Sequence, residues 1–201
     1  PNRAYDRLFR YLVPNDKGQI VLRFTGGWEP LMKSGKAMVQ AIELTPELKP
    51  TVRVNVGSDS SFVDWNSYVW EADGHFEGGS VITSDKLVEH ASPTLYDQGL
   101  YQTARTGKNL RYSFTVTPGR YMVHLKFAEL WLGELSQRPM DIAINGRTLW
   151  SNWDPAAAAN KLARAAEIRA QDIIPDRNGR ITIEITAKGA NDAILQSIEI
   201  E

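Results

Sequence analysis

Three groups of residues in this chain are of types that do chemistry at protein surfaces. The first is aromatic: Trp131 follows the run Tyr121-Leu130, and Phe62-Val63-Asp64-Trp65-Asn66-Ser67-Tyr68-Val69-Trp70 is too aromatic for an ordinary linker. A ring delivered to a loop at a strand end is a candidate ligand platform. The second is acidic. Asp64, Glu71, Asp73, Glu77 and Glu129 are the residue types a glycoside hydrolase pairs across a cleft, about 5 to 10 Å apart, but their spacing is no evidence for such a pair. The third is His75, His90 and His124, which lack metal-ligand spacing; His124 lies on the polar face of its strand and reads as a surface residue. There is no Gly-x-Ser-x-Gly elbow, no phosphate-cradling Gly-rich loop and no zinc signature. Asp59, Asp64 or Asp73 are of the type that holds a structural calcium ion, but no cofactor is called for.

Strands must position these groups. Tyr121, Val123, Leu125 and Phe127 fall on one face of a segment and Met122, His124, Lys126 and Ala128 on the other, the period of two of a strand half covered by a core. After Glu129 the alternation stops, and Leu130, Trp131, Leu132 and Gly133 put bulky apolar groups where a polar turn would stand. Alternation recurs at Ile20, Leu22 and Phe24; at Val52, Val54 and Val56; at Leu110, Tyr112, Phe114 and Val116; and at Ile181, Ile183 and Ile185. Turn chemistry separates these runs: Pro118-Gly119, Gly78-Gly79, and Asn145-Gly146, the sequence of a two-residue type I′ hairpin. Residues 155 to 170, rich in Ala with Lys and Arg, lack a sustained apolar stripe and read as a short surface helix or an ordered loop. The fold class implied is all-β, a β-sandwich or jelly roll.

Composition narrows the partners. With 201 residues, 42% hydrophobic and 23% charged, the chain can bury a full core. A formal net charge of -1 provides no general field for phosphates or anionic lipid, which argues against nucleic acid and membrane surfaces. No cysteine is present, so disulfides and thiolate metal sites are excluded, and no apolar run reaches the roughly 18 residues of a membrane span. The chain starts at Pro1 without a signal-type segment and reads as a piece of something longer.

A repeat organises the chain. Val13-Pro14-Asn15-Asp16-Lys17-Gly18-Gln19-Ile20, then Ala37-Met38-Val39-Gln40-Ala41-Ile42-Glu43-Leu44, matches Ile174-Pro175-Asp176-Arg177-Asn178-Gly179-Arg180-Ile181, then Ala193-Ile194-Leu195-Gln196-Ser197-Ile198-Glu199-Ile200. The same terminal strand pair thus occurs twice. Residues 1–49 are expected to be the tail of a preceding domain and residues 50–201 a complete one. An isolated hairpin is marginal in water, so residues 1–49 are expected to pack on the main domain or on a partner chain.

The segments VRVNVGSDS at 52–60, VWEADGHFEGGS at 69–80, LYQTAR at 100–105, YMVHLKFAEL at 121–130, MDIAINGRTL at 140–149 and AILQSIEI at 193–200 together resemble the malectin family of carbohydrate-binding domains. The version they are most similar to is the accessory module of bacterial glycoside hydrolases. The resemblance implies a lectin-like β-sandwich of the galactose-binding-like type, without catalysis or cofactor. It also implies a short gluco- or galacto-type saccharide held by aromatic stacking at one end of the sandwich. A pyranose packs its apolar C–H face on a ring while its hydroxyls take donors and acceptors at the edge.

The family's stacking positions follow its FAE and YQT motifs, with an acidic residue before the last strand. Here they fall on Trp131 and Leu132, on Thr106, and on Asn191 or Asp192, so the site is partly preserved. Trp65 and Tyr68 are the candidates for a replacement platform, or else cap the sandwich edge. Trp70 and Phe76 are expected in the core, and Trp150 and Trp153 in structural roles or at the rim of the site. Arg105 and Glu129 belong to the family framework, where they form a buried pair or contact sugar. The partners implied are an oligosaccharide or polysaccharide and the catalytic domain of a secreted β-galactosidase-like enzyme, in a periplasmic or extracellular setting. The alternative is a structural spacer or dimerisation domain with a degraded sugar site.

Overall fold

A computed structural model describes residues 15, 17, 19–24, 39–42 and 51–201. The chain divides into two units, Pro1–Lys49 and Pro50–Glu201. In the first, the Asn15 Oδ1 accepts from the backbone N–H groups of Lys17 (3.0 Å) and Gln19 (2.9 Å), while its own N–H donates to the Gln19 carbonyl. In the second, the Asp176 carboxylate accepts from Asn178 (2.8 Å) and Arg180 (2.9 Å), and its N–H donates to the Arg180 carbonyl. The two copies of the sequence repeat share one Asx-type turn. Residues 19–24, expected to be a strand, join no ladder among the described residues, and Ile20, Val21, Leu22 and Phe24 are exposed. Alternation supplies a face but not the neighbouring strand that a β backbone needs. Most of the first copy's second segment, apart from residues 39–42, lies outside the described residues.

The second unit is built of short strands. In chain order β1 (Val52–Asn55), β2 (Phe62–Val63), β3 (Val69–Ala72), β4 (Phe76–Glu77) and β5 (Ser80–Thr83) lead to a one-turn helix, α1 (Gly99–Gln102). There follow β6 (Thr103–Gly107), β7 (Asn109–Thr115), β8 (Tyr121–Ala128), β9 (Met140–Ile144), β10 (Arg147–Trp153) and a second short helix, α2 (Pro155–Ala159). The series ends with β11 (Ala165–Ile173), β12 (Arg180–Ala187), β13 (Ala193–Leu195) and β14 (Ser197–Ile200). Three sheets result, ordered β11-β8-β14-β1-β3-β2, β10-β9-β12-β7-β4 and β13-β6-β5.

The six- and five-stranded sheets share one core. Val123, Leu125 and Phe127 of β8 and Ile198 and Ile200 of β14 meet Tyr112 and Phe114 of β7, Ile142 of β9 and Ile181, Ile183 and Ile185 of β12. Each such side chain contributes roughly 1.5–3 kcal/mol on burial. A second cluster, Trp70, Val88, Ala91, Leu100, Tyr101, Ala128 and Leu130, covers the other face of the six-stranded sheet with α1 and the chain leading to it. Both faces of β8 are therefore buried.

Local chemistry explains the connections. At Asn145-Gly146, φ values of 50° and 75° give the type I′ turn between β9 and β10. Gly57 follows β1 at φ 78°, where a Cβ would stand 2.6 Å from the Ala104 backbone, so only glycine fits. The expectation for residues 155–170 needs correction. Asp154 caps α2 by accepting from the Ala157 N–H at 2.8 Å, and Asn160, left-handed at φ 52°, ends the helix at once. From Ala165 the chain is strand β11, paired with β8 and turning Ala166, Ile168 and Ala170 inward. Its Ala-rich composition favours helix; the free edge of β8 and the period of two favour strand, and tertiary context wins.

Candidate functional site

At the end of β8 the chain turns on a buried ion pair. One Glu129 oxygen accepts the Trp131 and Leu132 N–H groups at 2.9 and 3.0 Å, and the carboxylate is forked by Arg138 through Nε at 2.5 Å and a terminal nitrogen at 3.3 Å. Arg138 also donates to the Asp192 carbonyl, and its N–H to Asp154 at 2.6 Å. Asn191 donates to the Gln137 carbonyl at 2.7 Å. Trp131, Asn191 and Asp192 are thereby gathered at one end of the sandwich. The Trp131 ring is half-buried against the core, its indole N–H fixed on the Thr83 carbonyl at 3.1 Å, while the Asp192 carboxylate is open to solvent beside Lys108.

Arg105 does not pair with Glu129. Its Nε and one terminal nitrogen bind Asp73 at 2.9 and 2.7 Å, the other reaches the Gly79 carbonyl, and its guanidinium lies 3.3 Å over the Phe76 ring. With Asp73 also accepting from the Tyr112 hydroxyl at 2.9 Å, this is a structural cluster. Burial, then the Asp73 charge, pushes the Tyr112 hydroxyl well above its usual range. Phe76, expected in the core, is 40% exposed because it covers the guanidinium instead of entering the sandwich. Thr106 sits within β6, its hydroxyl on the Ala193 carbonyl.

The proposed replacement platform stands elsewhere. Asp64 closes the β2–β3 hairpin by accepting the N–H groups of Asn66 and Tyr68, both at 2.9 Å, and the Trp70 indole N–H at 3.0 Å. Trp65, 64% exposed, stacks on Tyr96 with centroids 4.8 Å apart; Tyr68, half-exposed, lies under the Arg53 guanidinium at 4.0 Å. Antiparallel β14 and parallel β3 carry the register from β8 through β1, which places Tyr68 near the level of Met122. Six residues of strand, roughly 20 Å at 3.3 Å per residue, separate that level from Ala128. Trp65 and Tyr68 therefore do not join Trp131 in one site.

Between the two ends, the outer face of the sheet carries a covered charge network. His124, expected at the surface, is 4% exposed, because Glu167 of β11 and Glu199 of β14 close against its ring from the strands on either side. Its ring lies between Glu167 (2.9 Å) and Glu199 (3.5 Å). Lys126, 2% exposed, reaches Glu167 at 3.2 Å and the Ser92 hydroxyl at 2.8 Å, and the Tyr101 hydroxyl donates to Glu167 at 2.8 Å. Burial works to raise the Glu167 carboxyl, but the His124 hydrogen bond and the Lys126 charge outweigh it and hold it well below the usual range. Burial likewise opposes, and the His124 and Arg53 bonds produce, a lowered Glu199. Desolvation lowers Lys126, and Glu167 restores part of the loss. Beside this network opens a groove of about 210 Å3, whose lining includes Tyr68 and Trp70, the cations Lys126 and Arg169, and the acids Asp64, Glu199 and Glu201.

Comparison with known proteins decides the family. A family model described as the malectin domain matches residues 51–198. The chain belongs to the malectin domain family. A malectin domain is of the carbohydrate-binding type, and the fold is shared with large proteins. The β-glucuronidase of Bacteroides uniformis matches with a TM-score of 0.63 and 22% identity, over 75% of this chain and 18% of that one. The ANXUR1 extracellular domain of Arabidopsis thaliana matches with a TM-score of 0.65 and 20% identity, over 74% of this chain and 47% of that one. A curated relative, kinesin-like protein KIN-14Q of Arabidopsis thaliana, is 36% identical over 105 residues, 52% of this chain and 8% of that protein. The chain spans less than half the length of each.

Within this malectin domain, sequence reasoning missed Arg138, Asp73, Glu167 and Lys126 as organisers. A buried strand carrying both His124 and Lys126 between apolar neighbours was the available signal. Among the described residues no cluster of three or more His, Cys, Asp and Glu side chains is arranged to hold a metal ion, and Asp64 and Asp73 have their carboxylates engaged by protein donors. No helix among them is long and apolar enough to cross a membrane.

Proposed function

We propose that this malectin domain is a non-catalytic carbohydrate-binding module of a secreted or periplasmic β-glycosidase, taking a short gluco- or galacto-type saccharide on Trp131. The observation that carries this reading is the fixed Trp131 ring at the sandwich end, with its indole N–H tied back to Thr83 and Asn191 and Asp192 tied through Gln137 and Arg138 to the same Glu129 turn. Such a ring offers its remaining face to a pyranose without having to be ordered on binding. The accessory role is supported by the fold likeness to part of a β-glucuronidase, and the setting by the likeness to an extracellular domain. A single stacking ring gives weak affinity, on the order of 1 mM or about 4 kcal/mol. Residues 1–49 are read as the tail of a preceding domain of the same kind, which the shared Asn15 and Asp176 turns support.

A spacer role is favoured by one observation: Val63, Trp65, Val69, Leu95 and Tyr96 are all more than half exposed, a set suited to lying against another domain. Titration with gluco-, galacto- and urono-disaccharides, followed by Trp fluorescence, separates the two. Saturable quenching that Trp131→Ala abolishes supports the module; a flat response from the folded protein supports the spacer.

A further inference from the structure

The groove over the outer face of the six-stranded sheet has a construction that the sandwich does not need. Its wall is Tyr68, and that ring is held from behind by a chain of charges: Arg53 lies 4.0 Å over it, Glu199 holds the Arg53 Nε at 2.7 Å, and His124 bridges Glu199 to Glu167. Buried charge networks are expensive in desolvation compared with apolar packing, and the inner face of the same strand shows that packing alone suffices. What the network does locally is fix a half-exposed aromatic ring at the side of a groove that His124 and Lys126 also line. Fixed rings supported by a shell of hydrogen-bonded groups are the way proteins preorganise a contact surface.

We infer that this groove is a second ligand site, separate from the sandwich-end site, and that it takes one neutral pyranose unit of a glycan. Tyr68 stacks on the C–H face, while the exposed Asn66 and the half-exposed Arg169 meet the hydroxyls.

Charge selects the ligand class. Each cation in or behind the groove already faces a carboxylate: Arg53, behind Tyr68, faces Glu199, and Lys126 and Arg169 face Glu167 at 3.2 Å each, while Glu201 adds a further acid to the lining. His124 sits between the two acids, and the Asp64 carboxylate is filled by two backbone N–H groups and the Trp70 indole. A charged sugar gains no unpaired counter-charge there, whereas a hydroxyl both donates and accepts. Size selects one ring. At about 210 Å3 the groove is smaller than the roughly 300–1,000 Å3 of pockets that engulf drug-sized ligands, and it is open on one side, so neighbouring units of a chain remain in solvent.

The test is backbone amide NMR on the whole 201-residue chain, titrated with methyl β-glucoside, methyl β-galactoside and methyl β-glucuronide. The expected result is saturable shifts of the Asn66, Tyr68 and His124 amides with a neutral glycoside, weakened at least tenfold by Tyr68→Ala and retained by Tyr68→Phe. Trp131→Ala leaves these shifts in place, whereas the reading of the sandwich end stands or falls on the Leu132 and Glu134 amides, so the two sites fail independently. Absence of saturable shifts at Asn66, Tyr68 and His124 in the folded protein overturns the inference. So does indifference to Tyr68→Ala, or a tenfold preference for the glucuronide. Should Tyr68→Ala not fold, Asn66→Ala serves in its place, with the same weakening expected and indifference again fatal.

Discussion

Leu125 and Lys126 are neighbours on β8, exposed to 1% and 2%, yet they are buried in different media. Leu125 enters the sandwich core with Val123 and Phe127, where close packing does the work. Lys126 enters a polar layer with His124, Glu167, Ser92 and Tyr101, where the charged groups must satisfy each other. The difference teaches that a period of two reports which residues share a face and how polar that face is. It does not report whether the polar face is wet.

The comparison breaks most sharply at Phe127. Its ring packs 4.7 Å from Trp153, and Phe127→Ala is expected to cost about 3–5 kcal/mol in denaturant unfolding. On the opposite face Glu167→Gln is expected to cost about 3 kcal/mol, because it leaves Lys126 buried without its acid and His124 with Glu199 alone. The double substitution Lys126→Met with Glu167→Gln should cost less than Glu167→Gln alone. A double-mutant cycle measures that coupling, and strict additivity would show the charge layer to be no network at all.

Acid sharpens the contrast between the faces. Glu167 and Glu199 are lowered in the folded state, so the stability they contribute is present above the unfolded carboxyl pKa of about 4.3 and is lost as pH falls further. Unfolding followed from pH 7 to pH 2 should show this acid limb undiminished in Phe127→Ala and reduced in Glu167→Gln. At the other extreme burial, then the Glu167 charge, raises the Tyr101 hydroxyl. Its contribution is therefore present below the unfolded value of about 10 and is lost above it. The smallest effect is expected at Tyr68→Leu, about 1 kcal/mol for the loss of a half-exposed ring under the Arg53 cation, with the Arg53–Glu199 pair left in place.

Much of the sandwich was legible beforehand. The inner faces of β7, β8 and β12 follow the alternation read from Leu110, Tyr121 and Ile181, and the Asn145-Gly146 turn follows from its residue types. The acids and bases of the framework are visible in the sequence as residue types but not as pairs: Arg105 finds Asp73 and Glu129 finds Arg138, partners fixed by which strands end side by side. Trp131 was located by the break in alternation after Glu129. Trp65 and Tyr68 read as a replacement platform or as caps of the sandwich edge; both are exposed, and their distance from Trp131 depends on a parallel pairing of β1 with β3 that no local pattern encodes.

The sequence alone therefore determined the all-β class, the inner core faces, the hairpin turn and the family, because each rests on local period, turn chemistry or the order of motifs along the chain. Only the tertiary structure decided that the outer face of β8 is covered and which charges meet there. It also decided that Tyr68 and Trp131 stand near opposite ends of one sheet. Those outcomes rest on contacts between segments far apart in the chain, such as Arg53 with Glu199 and Lys126 with Glu167, whose free energy exists only once the sheets have closed on each other.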